Sequence, residues 1–263
     1  MLKKNFISLF LSLILVAISQ PAHSQSQPAE RQFFQIKVYH FDNISQQERT
    51  DQFLNTAYLP ALHRAGIKQV GVFKPVEQDT AALRTYVLIP FSSLDKFEAL
   101  AATLQNDSQF SSDGQEYLEA TYDHPPYNRI KSILLKSFKD APTLMESTLP
   151  APKTKRIYEL RSYESPTEAL NINKVDMFNA GGEIDIFNRL DFNSIFYGNV
   201  LVGDAMPNLM YMTSFKDMAS RDKHWDQFGS DAQWEQLSSM EKYQNNVSHA
   251  DIHLLHATSY SDI

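Results

Sequence analysis

The sequence predicts an α+β fold in which one ferredoxin-like βαββαβ unit is used twice, and three observations carry that expectation. An offset of 124 residues aligns the two halves of the 263-residue chain without a gap over much of their length. Tyr39 meets Tyr163, Asn55 meets Asn179, Phe91 meets Phe215, and Asn106-Asp107-Ser108-Gln109-Phe110 meets Ser230-Asp231-Ala232-Gln233-Trp234. Both halves show the same order of strand and helix signals. The composition, 43% hydrophobic and 21% charged with 12 Pro and 8 Gly, is that of a chain able to bury a core.

The elements follow in chain order. Residues 1–24 read as a cleavable signal peptide: Lys3 and Lys4 precede the uncharged apolar run Phe6 to Ile18, and Ala22-His23-Ser24 places small residues before a cut at Gln25. Such a run rises about 20 Å as a helix, short of the ~30 Å hydrocarbon core, so an anchor is the weaker reading. Residues 25–31 form a disordered lead-in, 32–140 the first unit, 141–154 a Pro-containing linker with Pro142, Pro150 and Pro152, and 155–263 the second unit. In the first unit, strands are expected at Phe33 to Phe41, Lys68 to Val76, Thr85 to Phe91 and Ile130 to Phe138. Helices are expected at Gln46 to Ala65 and Ser92 to Leu104, the latter opened by a Ser92/Asp95 capping box. In the second, strands are expected at Arg156 to Tyr163, Asn193 to Val202, Leu209 to Phe215 and Ile252 to Tyr260. A long helix starts at Pro166-Thr167 and is interrupted by Gly181-Gly182, and further helices span Asp217 to Phe228 and Ala232 to Gln244. The stripe Leu94, Phe97, Ala101 and Leu104 maps onto Met218, Arg221, Trp225 and Phe228. This element order defines the split βαβ unit.

Several chemistries are excluded. With no Cys there is no disulfide framework, thiol nucleophile, thiolate metal site or lipid-modified N-terminal cysteine. The formal charge of −7 from 31 acidic and 24 basic residues, or −9 once Lys3 and Lys4 are removed, argues against nucleic acid. There is no nucleophile-elbow triad, no paired His on a helix and no phosphate loop, so the residues name no reaction.

Four segments carry a family resemblance. Ile157-Tyr158-Glu159-Leu160-Arg161-Ser162-Tyr163, Lys174-Val175-Asp176-Met177-Phe178, Met206-Pro207-Asn208-Leu209-Met210-Tyr211-Met212 and Ser220-Arg221-Asp222-Lys223-His224-Trp225 resemble bacterial members of the NIPSNAP family, strongly over 155–237 and more loosely over 32–138. The resemblance implies the dimeric α/β-barrel superfamily, with the two units packed sheet to sheet around a cavity as a pseudo-dimer. Relatives on that scaffold include cofactor-free oxygenases, isomerases and haem-using enzymes, so it fixes fold better than activity.

Strand alternation supplies a candidate site. If the apolar positions Ile36, Val38, Tyr158 and Leu160 pack on helices, then Gln35, Lys37, Tyr39, Glu159, Arg161 and Tyr163 line the space between the sheets and could bind a small oxygenated molecule. The competing reading makes Glu159 and Arg161 an ion pair that sets strand register. Arg221, standing on a helix stripe where the first unit has Phe97, is expected to be a half-buried clamp to Asp222, Asp217 or Glu159. His224 is expected to pack rather than act as a base. No metal site is expected, because His253 and His256 point to opposite faces of one strand, and no cofactor is called for. The leading functional reading is an exported, periplasmic or secreted small-molecule binding protein. A cofactor-independent oxygenase or isomerase and an interaction module without ligand are the alternatives, and the compatible partners are a small molecule and a second copy of the chain, with no membrane after signal cleavage.

Overall fold

The computed structural model describes residues 30–77 and 82–263; the signal peptide expected over residues 1–24 lies outside them. Among the described residues eight strands form one closed antiparallel barrel. They are β1 (Phe33–His40), β2 (Gly71–Pro75), β3 (Arg84–Phe91), β4 (Arg129–Ser137), β5 (Ile157–Glu164), β6 (Asn193–Val202), β7 (Asn208–Phe215) and β8 (His249–Ala257). Around the barrel they run β1-β3-β2-β8-β5-β7-β6-β4. The helices are α1 (Ile44–Phe53), a π-turn at Leu54–Tyr58, α2 (Leu59–Arg64), α3 (Leu94–Gln105), α4 (Ser108–Asp113), α5 (Gln115–Leu118), α6 (Glu168–Phe178), α7 (Glu183–Arg189), α8 (Met218–Gly229) and α9 (Ala232–Ser239). No described helix is long and apolar enough to cross a membrane.

Helix starts repeat with the strands. Asn43, Ser93 and Asp107 cap α1, α3 and α4 by accepting the backbone N–H groups of Gln46, Lys96 and Phe110. Their counterparts 124 residues on, Thr167, Asp217 and Asp231, cap α6, α8 and α9 in the same way. Ser93, not Ser92, is thus the cap of α3, and the Ser92/Asp95 box does not form. The stripe of α3 also moves: Leu100 and Leu104 are buried while Leu94 and Ala101 face solvent. The interruption at Gly181-Gly182 is real. α6 ends at Phe178, Gly182 takes the left-handed φ of +86°, and a Cβ on Gly181 would lie 2.5 Å from the Met177 carbonyl oxygen.

Two expectations are corrected by the closure. The units do not stack sheet on sheet; they join edge to edge, through β2–β8 pairs such as Phe73↔Ala257 and β4–β6 pairs such as Lys136↔Asn199. Joining the edges satisfies backbone groups that two stacked open sheets would leave exposed. The apolar and polar faces are also reversed relative to the helices. Ile36, Val38, Tyr158 and Leu160 point inward, into one core with Phe34, Phe73, Leu135, Met212 and Leu255 drawn from both halves, and Leu144 and Ile263 belong to the same cluster at its base. The outward positions meet the helices in two separate clusters, one per half. Both strand faces are therefore buried, and the interior is apolar; on the outward face α8 brings Arg221 as a partner for Glu159, while Lys174 of α6 and Glu183 of α7 pair with each other.

Candidate functional site

The six residues expected to converge between the sheets do not meet. Gln35, Lys37 and Tyr39 face the first-half helices: Gln35 Nε2 donates to Ser132 Oγ at 2.7 Å, and the Lys37 ammonium lies 4.9 Å from the Tyr58 ring and 5.3 Å from that of Tyr39. Burial holds the Tyr39 hydroxyl well above the ordinary phenol range. Glu159, Arg161 and Tyr163 face the second-half helices, where Glu159 has no solvent-exposed surface. Its Oε1 accepts from Arg161 Nε at 2.5 Å, and its Oε2 from Arg221 Nε at 2.7 Å and Trp225 Nε1 at 2.9 Å. Arg161 stacks 3.6 Å above the Trp225 ring and donates to the Tyr163 hydroxyl, which meets that of Tyr211 at 3.0 Å. Arg221 thus ties α8 to β5 and also reaches Asp222 at 2.9 Å; its hydrogen bond to Glu159 leads in holding its proton more firmly than usual. His224 packs against Phe192 and Phe215 and bonds the Ser220 carbonyl. The carboxylate of Glu159 is satisfied by three donors from the protein, which suits a clamp.

The open space lies at one mouth of the barrel. There a cavity of about 400 Å³ is floored by inward side chains, among them Val38, Tyr86, Leu160 and Met210. Its polar rim comes from strand ends that the antiparallel register brings together: His40 ends β1, Arg84 begins β3, Glu164 ends β5 opposite Asn208 of β7, and Asp251 lies near the start of β8. The volume falls in the roughly 300–1,000 Å³ range of small-molecule sites. His40 and Arg84 are cross-strand partners, and neither His40 Nε2 nor Arg84 Nε, both buried, has a hydrogen-bond partner among the described residues. Asn208 Oδ1 is likewise unpartnered while its Nδ2 donates to Ser162 Oγ at 2.8 Å. Lys131 and Asp204 pair at 2.6 Å on the rim. Burial, then the charges of Arg84 and Lys131, keep His40 below the usual histidine range; burial does the same to His253, whose ring sits 5.6 Å from that of Tyr86.

These residues escaped the sequence reading, yet one signal for them exists in it. The 124-residue offset maps His40 onto Glu164 and Arg84 onto Asn208, so polar residues stand at matched strand ends of both halves. His256, facing away from His253, donates from Nδ1 to the Arg156 carbonyl and stands outside the rim.

A closed antiparallel α/β barrel with a polar mouth cavity is the class that fold and site define. Residues 158–262, from β5 onward, match the family model of NIPSNAP. Among solved structures the chain is similar to a candidate monooxygenase of Fusobacterium nucleatum subsp. nucleatum (7% identity, TM-score 0.56, 87% of this chain and 93% of that chain). It is similar also to a candidate monooxygenase of Lactobacillus acidophilus (13%, 0.55, 87% and 94%) and to an anthrone oxidase-like protein (10%, 0.54, 88% and 93%). At such identities the likeness is one of fold. No curated protein matches the chain.

Proposed function

We propose that this protein binds a small organic molecule bearing an anionic oxygen, a carboxylate or enolate, in the barrel-mouth cavity. One observation carries the reading: two buried nitrogens, Arg84 Nε and His40 Nε2, line the cavity without a partner. A buried donor left unmet costs on the order of 1–3 kcal/mol, which an incoming oxygen would recover. Arg84 supplies the charge, and neutral His40 supplies an imidazole nitrogen beside it. The architecture underneath is two tandem ferredoxin-like units, a reading supported by the strand orders β4-β1-β3-β2 and β8-β5-β7-β6 and by the recurrence of the caps. The chain is exported, its mature form beginning at or near Gln25. A second copy of the chain is its one expected protein partner.

Native mass spectrometry of the purified chain, followed by a thermal-shift panel of small carboxylic acids and their methyl esters, tests the site. An acid that binds should outdo its ester at least tenfold on the wild type, and Arg84→Ala should abolish the difference. Equal binding of acid and ester, or an unchanged preference in Arg84→Ala, defeats the reading. A second reading, a cofactor-independent oxygenase, is favoured by His253, a buried imidazole held neutral beside Tyr86 and able to take a proton from a bound molecule. It predicts oxygen consumption with an anthrone as substrate that is lost in His253→Gln; no consumption by the wild type removes it.

A further inference from the structure

The mouth has an acidic side as well as a basic one. Glu164 and His249 are direct cross-strand partners at the ends of β5 and β8, and Asp251 lies two residues along β8 on the same face. Carboxylate oxygens of Glu164 and Asp251 and a ring nitrogen of His249 lie within 4.8 Å of one another, with His249 Nε2 3.2 Å from Asp251 Oδ1. On the other side of Glu164 stands its β7 partner Asn208, only 4% exposed, whose Oδ1 is an unpartnered acceptor lining the same cavity. Neither Glu164 nor Asp251 has a Lys or Arg partner among the described residues. Two carboxylates side by side without a Lys or Arg repel, and the buried Asn208 oxygen beside Glu164 is an unmet acceptor.

We propose that Glu164, His249 and Asp251 form a zinc site on the cavity rim. The donor set of one imidazole and two carboxylates suits zinc better than magnesium or calcium, which prefer oxygen alone. In a tetrahedral site with metal–ligand bonds of about 2.1 Å, neighbouring ligand atoms stand roughly 3.4 Å apart. The His249–Asp251 separation already matches that spacing, and the side chains of His249 and Asp251 are exposed and free to close the remaining distance. Three protein ligands leave a fourth position open toward the cavity, on the side of Asn208 Oδ1. A simpler His249–Asp251 ion pair accounts for two of these residues and leaves Glu164 and the Asn208 oxygen unexplained.

Calorimetric titration of the full chain, tag removed, with zinc chloride at pH 7.5 tests the site. No organic molecule is present, so its outcome is separate from that of the anion reading. One equivalent should bind, magnesium should bind at least tenfold more weakly, and Glu164→Gln, His249→Ala and Asp251→Asn should each weaken zinc at least tenfold. Zinc should raise the melting temperature of the wild type and not that of His249→Ala, whose melting without metal shows that it folds. His124→Ala, at an exposed histidine beside Asp123 outside the proposed ligand set, should bind as the wild type does. No zinc binding by the wild type, or binding unchanged in His249→Ala and Asp251→Asn, overturns the proposal.

Discussion

Replacing Glu159 by Gln tests whether the outward polar network is a structural clamp. The carboxylate is fully buried and accepts from two guanidinium groups and an indole N–H, so neutralising it strands Arg161 and leaves Arg221 with Asp222 alone. Losing one member of a buried pair costs about 3–5 kcal/mol. The Arg161 and Arg221 side chains remain 13% and 21% exposed and can turn partly to water, which places the expected loss at the lower end, about 3 kcal/mol. Arg161→Ala should cost less, about 2 kcal/mol, because Glu159 keeps Arg221 and Trp225; about half of that comes from the lost stack on the Trp225 ring. In the double variant Arg161 no longer stands opposite a missing charge, so its loss should fall short of the sum by about 1 kcal/mol or more. Urea unfolding at constant slope reads this as a midpoint lowered by roughly 1 M for Glu159→Gln. Ligand binding at the mouth should not change, since the network lies on the opposite strand face. A Glu159→Gln loss under about 1 kcal/mol, or strictly additive single changes, would refute the clamp.

Three further changes probe the physics of the fold. Lys174 and Glu183 form a buried pair at 2.8 Å, and burial pushes the Glu183 carboxyl upward against the pull of Lys174. Lys174→Met should therefore cost about 3–5 kcal/mol and Lys174→Met with Glu183→Leu much less, as chemical denaturation will show. His253 holds its proton less firmly folded than unfolded, so its contribution is complete above the unfolded value of 6.5 and is lost as pH falls through the lower folded value. Melting temperature against pH between 7 and 5 should accordingly fall less steeply in His253→Gln than in the wild type; parallel curves would contradict this. Gly182→Ala should cost about 1–2 kcal/mol for the left-handed φ, and Gly181→Ala more, because its Cβ would strike the Met177 carbonyl; melting of the two variants ranks them.

The fold was largely legible because local signals recur. β6 occupies Asn193–Val202 as the pattern foretells, and α8 and β7 begin within a residue of expectation. β8 starts three residues early, at His249, since its first turn of the ladder is polar rim rather than apolar core. Strand alternation reveals which residues share a face but not which face looks inward. That choice depends on the closure of the barrel, a property of strand edges in space, and the assumption that helices demand the apolar face put Glu159, Arg161 and Tyr163 on the wrong side. Arg221 could be found because repetition supplied a standard, Phe97, against which a charge on a helix stripe stands out. His40 and Arg84 sit at strand ends, where periodicity fades and no such contrast marks them.

A barrel closed from two unlike halves of one chain has a mouth that two identical subunits cannot give. A symmetric pair places equal residues at equal positions around the axis, and the rim must then carry the same charge twice. Here the first half contributes His40, Arg84 and Lys131 to the cavity, whereas the second contributes Glu164, Asn208 and Asp251. Lys131 and Asp251 stand on matched positions of β4 and β8, facing Val38 and Ser162, which themselves correspond. The cavity is therefore dipolar across its width, with the unpartnered nitrogens of His40 and Arg84 on one side and the unpartnered Asn208 oxygen with two carboxylates on the other. A ligand entering it is oriented by charge before any contact with the apolar floor, its anionic oxygen toward Arg84 and its electropositive end, or a metal ion, toward Glu164 and Asp251. The interior below is apolar in both halves, so the charge difference at the rim alters binding without disturbing the core.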